Sequence, residues 1–168
     1  MLIREITQND SEAFLKLLLQ LDNETKYMLF EPNERPNDIE ATRGRIAAAA
    51  ASGSIIYAAF DNDKCIGFLS ASRGGLKRIR HSAYIVIGIL LEYQGRGIGK
   101  QLFTELDKWA KQVSVTRLEL TLMTHNFAGV ALYKKSGFEI EGVKRNAISV
   151  GGKYVDEYYM AKITSHSL

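Results

Sequence analysis

The chain is poor in the residues that staple or interrupt a fold. It holds one cysteine, Cys65, one tryptophan, Trp109, and two prolines, Pro32 and Pro36, among 168 residues. A lone cysteine excludes an internal disulfide, and no Cys/His cluster has zinc-ligand spacing, so a reducing compartment and a metal-free site are expected. No stretch approaches the roughly 18 apolar residues of a membrane span. The start, MLIREITQND, lacks the basic opening and apolar run of a signal peptide, which predicts a cytoplasmic protein with no membrane partner. The net charge of +3 is too small to argue for nucleic acid, and none is expected as a partner. What is present is ordinary globular composition, enough for one domain over residues 1–168 with its own core.

Charge is uneven along the chain. Residues 1–40 carry four basic side chains, Arg4, Lys16, Lys26 and Arg35, against nine acidic ones, while the remainder carries eighteen basic against ten acidic. The first part favours cations and the rest favours anions.

Hydrophobic period organises the rest. LIREI alternates as a half-buried strand does. Asp10 or Ser11 can cap a helix whose apolar face includes Phe14, Leu17, Leu18 and Leu21. A proline-bearing loop, Tyr27 to Asn37, precedes an alanine-rich helix that Gly53 can end. SIIYAAF and CIGFLSAS read as a hairpin, followed by the basic loop GGLKRIRH, which is expected to be solvated. AYIVIGILL, residues 83–91, is a continuous apolar run expected of a central strand covered on both faces. A helix from Gly97 to about Val113 buries Ile98, Leu102, Leu106, Trp109 and Val113. Then come the strand RLELTLM, a second helix capped by Asn126 and ended by Gly137, and two strands joined at Gly151-Gly152. The order predicts an α/β (mixed α+β) fold: one mixed sheet of about seven strands flanked by about four helices, with locally parallel strands in its second half.

QGRGIGK, Gln94 to Lys100, is the motif that carries chemistry. It is not a P-loop, because three residues rather than four separate Gly95 from Gly99, and Gln101 stands where magnesium needs a hydroxyl. It is not a dinucleotide fingerprint, because the last required glycine falls on Lys100 or Leu102, and Glu119 lies inside the next strand. What survives is a strand, a slim turn and a helix start whose unpaired amides make an anion site, with Arg96 and Lys100 at its rim.

Two stretches together resemble one family. Gln94-Gly95-Arg96-Gly97-Ile98-Gly99 is similar to the Gln/Arg-x-x-Gly-x-Gly/Ala signature of the GNAT superfamily of acyl-CoA-dependent N-acyltransferases. THNFAGVALYKKSGF, Thr124 to Phe138, resembles that family's second half, and GKYVDEYYM resembles its last strand. The resemblance implies a sheet splayed between the fourth and fifth strands, with backbone groups of Ile89, Leu90 and Leu91 exposed. Acetyl-CoA is the implied co-substrate. Its pantetheine would add like a strand, its pyrophosphate would rest on the amides from Gln94 to Lys100, and Asn126 would reach the pantetheine, though a plain N-cap explains that residue equally. Tyr133 occupies the family's general-acid position, though it also reads as an amphipathic tyrosine at the helix surface.

Direct amine attack in a ternary complex is expected, since no Ser-His-Asp or Cys-His arrangement is indicated and a thioester is already activated. A backbone N–H near Leu90 or Leu91 is a candidate oxyanion donor. The strand run Ala83 to Leu91 has no carboxylate, which departs from family members that carry a strand glutamate. Glu31, with Glu24 behind it, is a candidate base or amine anchor as well as an ordinary solvated acid; His81, His125 and water are the other candidates. The acidic first forty residues suggest a cationic acceptor: a protein N-terminus, amino acid, polyamine or aminoglycoside. A homodimer is left open. The alternative from another class is a non-catalytic acyl-CoA-binding regulator on the same fold.

Overall fold

A computed structural model describes residues 1–164. Its seven strands form one sheet in the order β1-β2-β3-β4-β5-β7-β6. β1 is Leu2–Glu5, β2 Ile55–Asp61, β3 Lys64–Arg73 and β4 Ser82–Ile89. β5 is Arg117–Met123, β6 Glu139–Val150 and β7 Lys153–Ile163. The helices are α1 Ser11–Glu24, α2 Ile39–Ala51, α3 Ile98–Gln112 and α4 Phe127–Lys135. The expected architecture is therefore observed, with the predicted apolar faces except at Val113, which lies just past the end of α3 and is half-buried. Phe14, Leu17, Leu18 and Leu21 of α1 are buried, as are Ile98, Leu102, Leu106 and Trp109 of α3.

The helices take opposite faces of the sheet, and two adjacent residues of β4 show how. Successive strand side chains point to opposite sides. A Cβ on Gly88 would stand 2.7 Å from Leu21 Cδ1 of α1 and 3.0 Å from the Phe68 ring, so glycine lets that helix seat without displacing either side chain. The next residue, Ile89, turns the other way and reaches α3, where its Cδ1 lies 3.6 Å from the Cβ position of Gly99.

Three expectations are refined. Asp10 does not cap α1 with its side chain; its carboxylate accepts from the Thr7 amide at 2.7 Å and pairs with Arg4 at 2.7 Å, which closes a 3₁₀ turn ahead of the helix. The second strand-helix unit does not give a paired parallel strand. The Gly151-Gly152 turn folds β7 back between β5 and β6, antiparallel to both, which leaves β4 and β5 as the parallel neighbours. The basic loop after β3 is tied down by Arg73, which donates to the Arg80 and Val113 carbonyls.

Candidate active site between the fourth and fifth strands

β4 and β5 pair only from Ser82 with Arg117 to Tyr84 with Glu119. Beyond that rung the strands part, and Tyr84 stands 41% exposed rather than covered. The next β5 donor towards β4, the Thr121 amide, goes to the Tyr84 hydroxyl at 3.3 Å instead of to a β4 carbonyl.

Which β4 groups face the opening follows from the antiparallel ladder with β3. Gly74 N–H donates to Ser82 O at one end and Leu90 N–H to Ile66 O at 3.0 Å at the other. Backbone groups alternate sides along a strand, so even-numbered residues bond to β3 and odd-numbered ones, Ile87, Ile89 and Leu91, face the gap. Leu90 is thus corrected out of the expected edge: it is fully buried, its amide is spent on Ile66, and its carbonyl accepts from the Tyr93 amide. Ile87 enters in its place. Sequence alone hid this, because an unbroken apolar run carries no parity signal.

The other two expected edge residues are partly engaged. Ile89 O accepts from Gln94 Nε2 at 3.0 Å, and Leu91 N–H donates to Glu24 Oε2 at 3.0 Å. The unbonded groups on this edge are the Ile85 carbonyl, which the Thr121 amide passes over, the Ile87 amide and carbonyl, and the Ile89 amide.

The glycine turn continues the edge. Gly95 and Gly97 adopt φ of +73° and +80°, a left-handed conformation that needs glycine, and a Cβ at either would meet nothing within 4 Å. The backbone N–H groups from Gly95 to Lys100 have no protein acceptor among the described residues; the first bonded one, Gln101 N–H, reaches Gly97 O at 3.2 Å. Arg96 folds over the Tyr93 ring at 5.0 Å and donates to Glu92 O, while Lys100 is exposed on the first turn. Gly99 has a different reason to be glycine. A Cβ there would lie 3.2 Å from Leu132 Cδ1, so it allows α4 to close on α3.

α4 brings the second motif to the same opening. Asn126 caps it, with Oδ1 accepting from Gly129 N–H at 2.9 Å, which leaves the amide nitrogen unused. Tyr133 is 7% exposed and wedged edge-on among Phe103 and Phe138, with ring centroids 5.8 and 5.5 Å away. Its hydroxyl has no protein partner among the described residues, and no fully buried side-chain polar atom there lacks one, so the oxygen must reach solvent-accessible space. Burial first, and the nearby Tyr84 phenol second, push the Tyr133 pKa well above the ordinary phenol value.

The remaining candidates scatter. Glu31 opens an exposed turn, donating its own amide to Glu34 Oε2 at 3.0 Å, and its contacts stay within that turn. Glu24, at the end of α1, is the carboxylate that touches the β4 edge. His81 and the basic loop precede β4, at the end of the strand away from the glycine turn. His125 neighbours Asn126, and its ring lies 5.6 Å from that of Tyr27, so the loop after α1 meets the loop before α4. The Cys65 thiol is buried and pushed up to about 12 by desolvation, which makes it inert.

Residues 3–159 match the acetyltransferase (GNAT) domain. The chain belongs to the GNAT acetyltransferase family. An L-amino acid N-acetyltransferase, AaaT, of Escherichia coli is 34% identical over 112 residues, 64% of this chain and 67% of that protein. An N-alpha-acetyltransferase, RimI, of Mycobacterium tuberculosis is 36% identical over 97 residues, and the match spans 58% of each chain. A GNAT-family acetyltransferase structure from Streptococcus pneumoniae superposes with a TM-score of 0.92 at 31% identity, covering 98% of this chain and 99% of that one. Among the described residues no helix is long and apolar enough to cross a membrane.

Proposed function

We propose that this GNAT acetyltransferase moves an acetyl group from acetyl-CoA to a cationic primary amine by direct attack within a ternary complex. The observation that carries the reading is the pairing of unspent backbone groups at Ile87 and Ile89 with the unspent amides of Gly95–Lys100 in the turn that follows. A diphosphate fits the six amides at the α3 N-terminus, where the helix dipole adds to their pull. The amides of a pantetheine arm fit the alternating groups of the parted strand. The free Asn126 nitrogen would donate to a carbonyl on the same arm.

When bound, the donor supplies an acetyl group already activated as a thioester, so no covalent nucleophile is required of the protein. The Ile87 amide is the deepest unspent donor and is the one placed to hold the developing oxyanion. Tyr133 keeps its proton at neutral pH and offers it to the departing sulfur. Glu31 or Glu24 takes the amine proton, directly or through water.

The acceptor class follows from charge and from the relatives. Of the acidic residues in the first forty, Asp10, Glu12, Asp22 and Glu40 are paired with cations, and Asp38 caps α2. Glu5, Glu24, Glu31 and Glu34 have no cationic partner within salt-bridge distance among the described residues; Glu5 lies on the edge strand β1, and the other three draw an ammonium towards the α1–α2 side of the gap. An L-amino acid and a protein N-terminus both present an α-amine.

The test is release of free coenzyme A thiol from acetyl-CoA across L-amino acids, N-terminal peptides, polyamines and aminoglycosides. Turnover with an α-amine that collapses in Tyr133→Phe is expected. Acetyl-CoA binding without transfer to any amine would replace this reading with a non-catalytic regulator.

A further inference from the structure

Between Ala83 and Ile89, Tyr84 is the one β4 residue whose side chain carries a polar atom. Its hydroxyl forms the floor of the gap. The last β4–β5 rung joins Tyr84 to Glu119. Counting two residues up each strand sets Thr121 level with Val86. Thr121 Oγ1 lies 2.9 Å from the Tyr84 oxygen, and the Thr121 amide donates to that same oxygen at 3.3 Å. The Tyr84 side chain thus reaches across from β4 to β5, and its oxygen meets both the backbone and the hydroxyl of Thr121 at the level of Val86, where the strands have parted.

One residue higher is Ile87, whose amide is where the donor reading sets the thioester carbonyl. A strand rises roughly 3.3 Å per residue, which is the room a methyl group takes beyond its carbonyl carbon. We infer that the Tyr84–Thr121 bridge gauges acyl length in the donor site, admitting an acetyl thioester and rejecting acyl-CoA of four or more carbons. This inference rests on the donor reading above. A longer chain must overlap the phenol or part both hydrogen bonds, which strands the Thr121 amide without an acceptor. Two residues of the protein, not the thioester chemistry, then set the donor.

The bridge can be removed with little cost to the fold, because the core on this strand is held by Ala83 and Ile85, which are buried, while Tyr84 is 41% exposed. Calorimetric titration of the full chain with coenzyme A, acetyl-CoA and butyryl-CoA tests the inference without an acceptor. Native protein is expected to bind butyryl-CoA at least about tenfold more weakly than acetyl-CoA, and Tyr84→Ala to bring the two within about threefold. Tyr84→Phe and Thr121→Ala, which keep most of the local bulk, are expected to narrow the gap partly, and they decide the matter if Tyr84→Ala does not fold. Equal binding of acetyl-CoA and butyryl-CoA by native protein overturns the inference alone, as does full discrimination in the folded variants. Folded native protein that binds no coenzyme A overturns the donor reading and the inference with it.

Discussion

The Glu24 carboxylate accepts the Leu91 amide at 3.0 Å across 67 residues of sequence, tying the last residue of α1 to the exit of β4. Its other oxygen accepts from Gln20 Nε2 at 2.6 Å, so the side chain is held from both sides. Glu24→Ala releases an amide that water can reach, which costs about 1 kcal/mol. The expected fall in melting temperature is about 2–4 °C, read by thermal unfolding. Glu24→Gln keeps an acceptor oxygen and loses the charge. It is expected to melt near the native temperature and to raise KM for a cationic amine without raising that for acetyl-CoA.

Tyr133→Phe separates chemistry from fold. The hydroxyl has no protein hydrogen bond to lose, so stability is expected to hold. Turnover should drop by about 10²- to 10⁴-fold, the usual worth of a positioned general acid, with acetyl-CoA affinity unchanged by calorimetry. The raised pKa also fixes a sign. The folded state disfavours the phenolate, so this group leaves stability unchanged while it is neutral in both states, below the unfolded phenol value of about 10, and lowers it as pH rises past that value towards the raised folded one. An alkaline decline in activity between pH 8 and 10 therefore belongs to another group, and its midpoint is expected to be unchanged in the residual activity of Tyr133→Phe.

Gly97 and Gly99 should fail differently. Gly97→Ala meets nothing in space but must hold φ at +80°, a cost of about 1–2 kcal/mol. Gly99→Ala has an ordinary φ and pushes Leu132, whose methyls lie 3.2 and 3.3 Å from the new Cβ. Overpacking of that kind costs about 1–3 kcal/mol and displaces the helix that carries Tyr133. Gly97→Ala is expected to weaken coenzyme A binding, and Gly99→Ala to lower turnover more than binding.

The loop after α1 is anchored by one buried pair. Arg35 donates to both oxygens of Asp22 at 2.5 and 3.0 Å, with side chains 7% and 1% exposed, and stacks on Phe30 at 4.2 Å. Arg35→Ala strands a buried carboxylate, which costs about 3–5 kcal/mol, seen as a lower urea midpoint. Replacing both residues by apolar ones of similar volume should recover much of that loss.

Asp10 sets an acid limit on stability. Its hydrogen bonds to Arg4, then to Thr7, hold its pKa down to about 2 despite opposing desolvation. A depressed carboxylate stabilises the fold above its unfolded pKa of about 3.9, and the contribution, on the order of 2 kcal/mol, disappears as pH falls from 4 through 2. Asp10→Asn should flatten the stability profile across that window.

Much of the architecture was legible because period and punctuation agree locally. The α1 face, the α3 face, the Asn126 cap and the left-handed turns at Gly53 and Gly137 are each set by residues within a few positions of one another. The glycine turn was legible for the same reason, although its three glycines divide their work: Gly95 and Gly97 shape the backbone, and Gly99 makes room for Leu132. The placement of β7 between β5 and β6 was not legible, since strand order depends on which edge is left open once the sheet assembles.

Sequence by itself determined the family motifs, the element order and the glycine turn that opens α3, because these depend on local pattern and side-chain chemistry. Only the tertiary structure decided which backbone groups are unspent. Ladder parity took Leu90 off the open edge and put Ile87 on it. Long-range contacts brought Glu24 to Leu91 and left Glu31 in its own turn. The parting of β4 from β5 set Tyr84 against Thr121. Each of these is a pairing between distant segments, and a hydrogen-bond donor's freedom is a property of its partner as much as of itself.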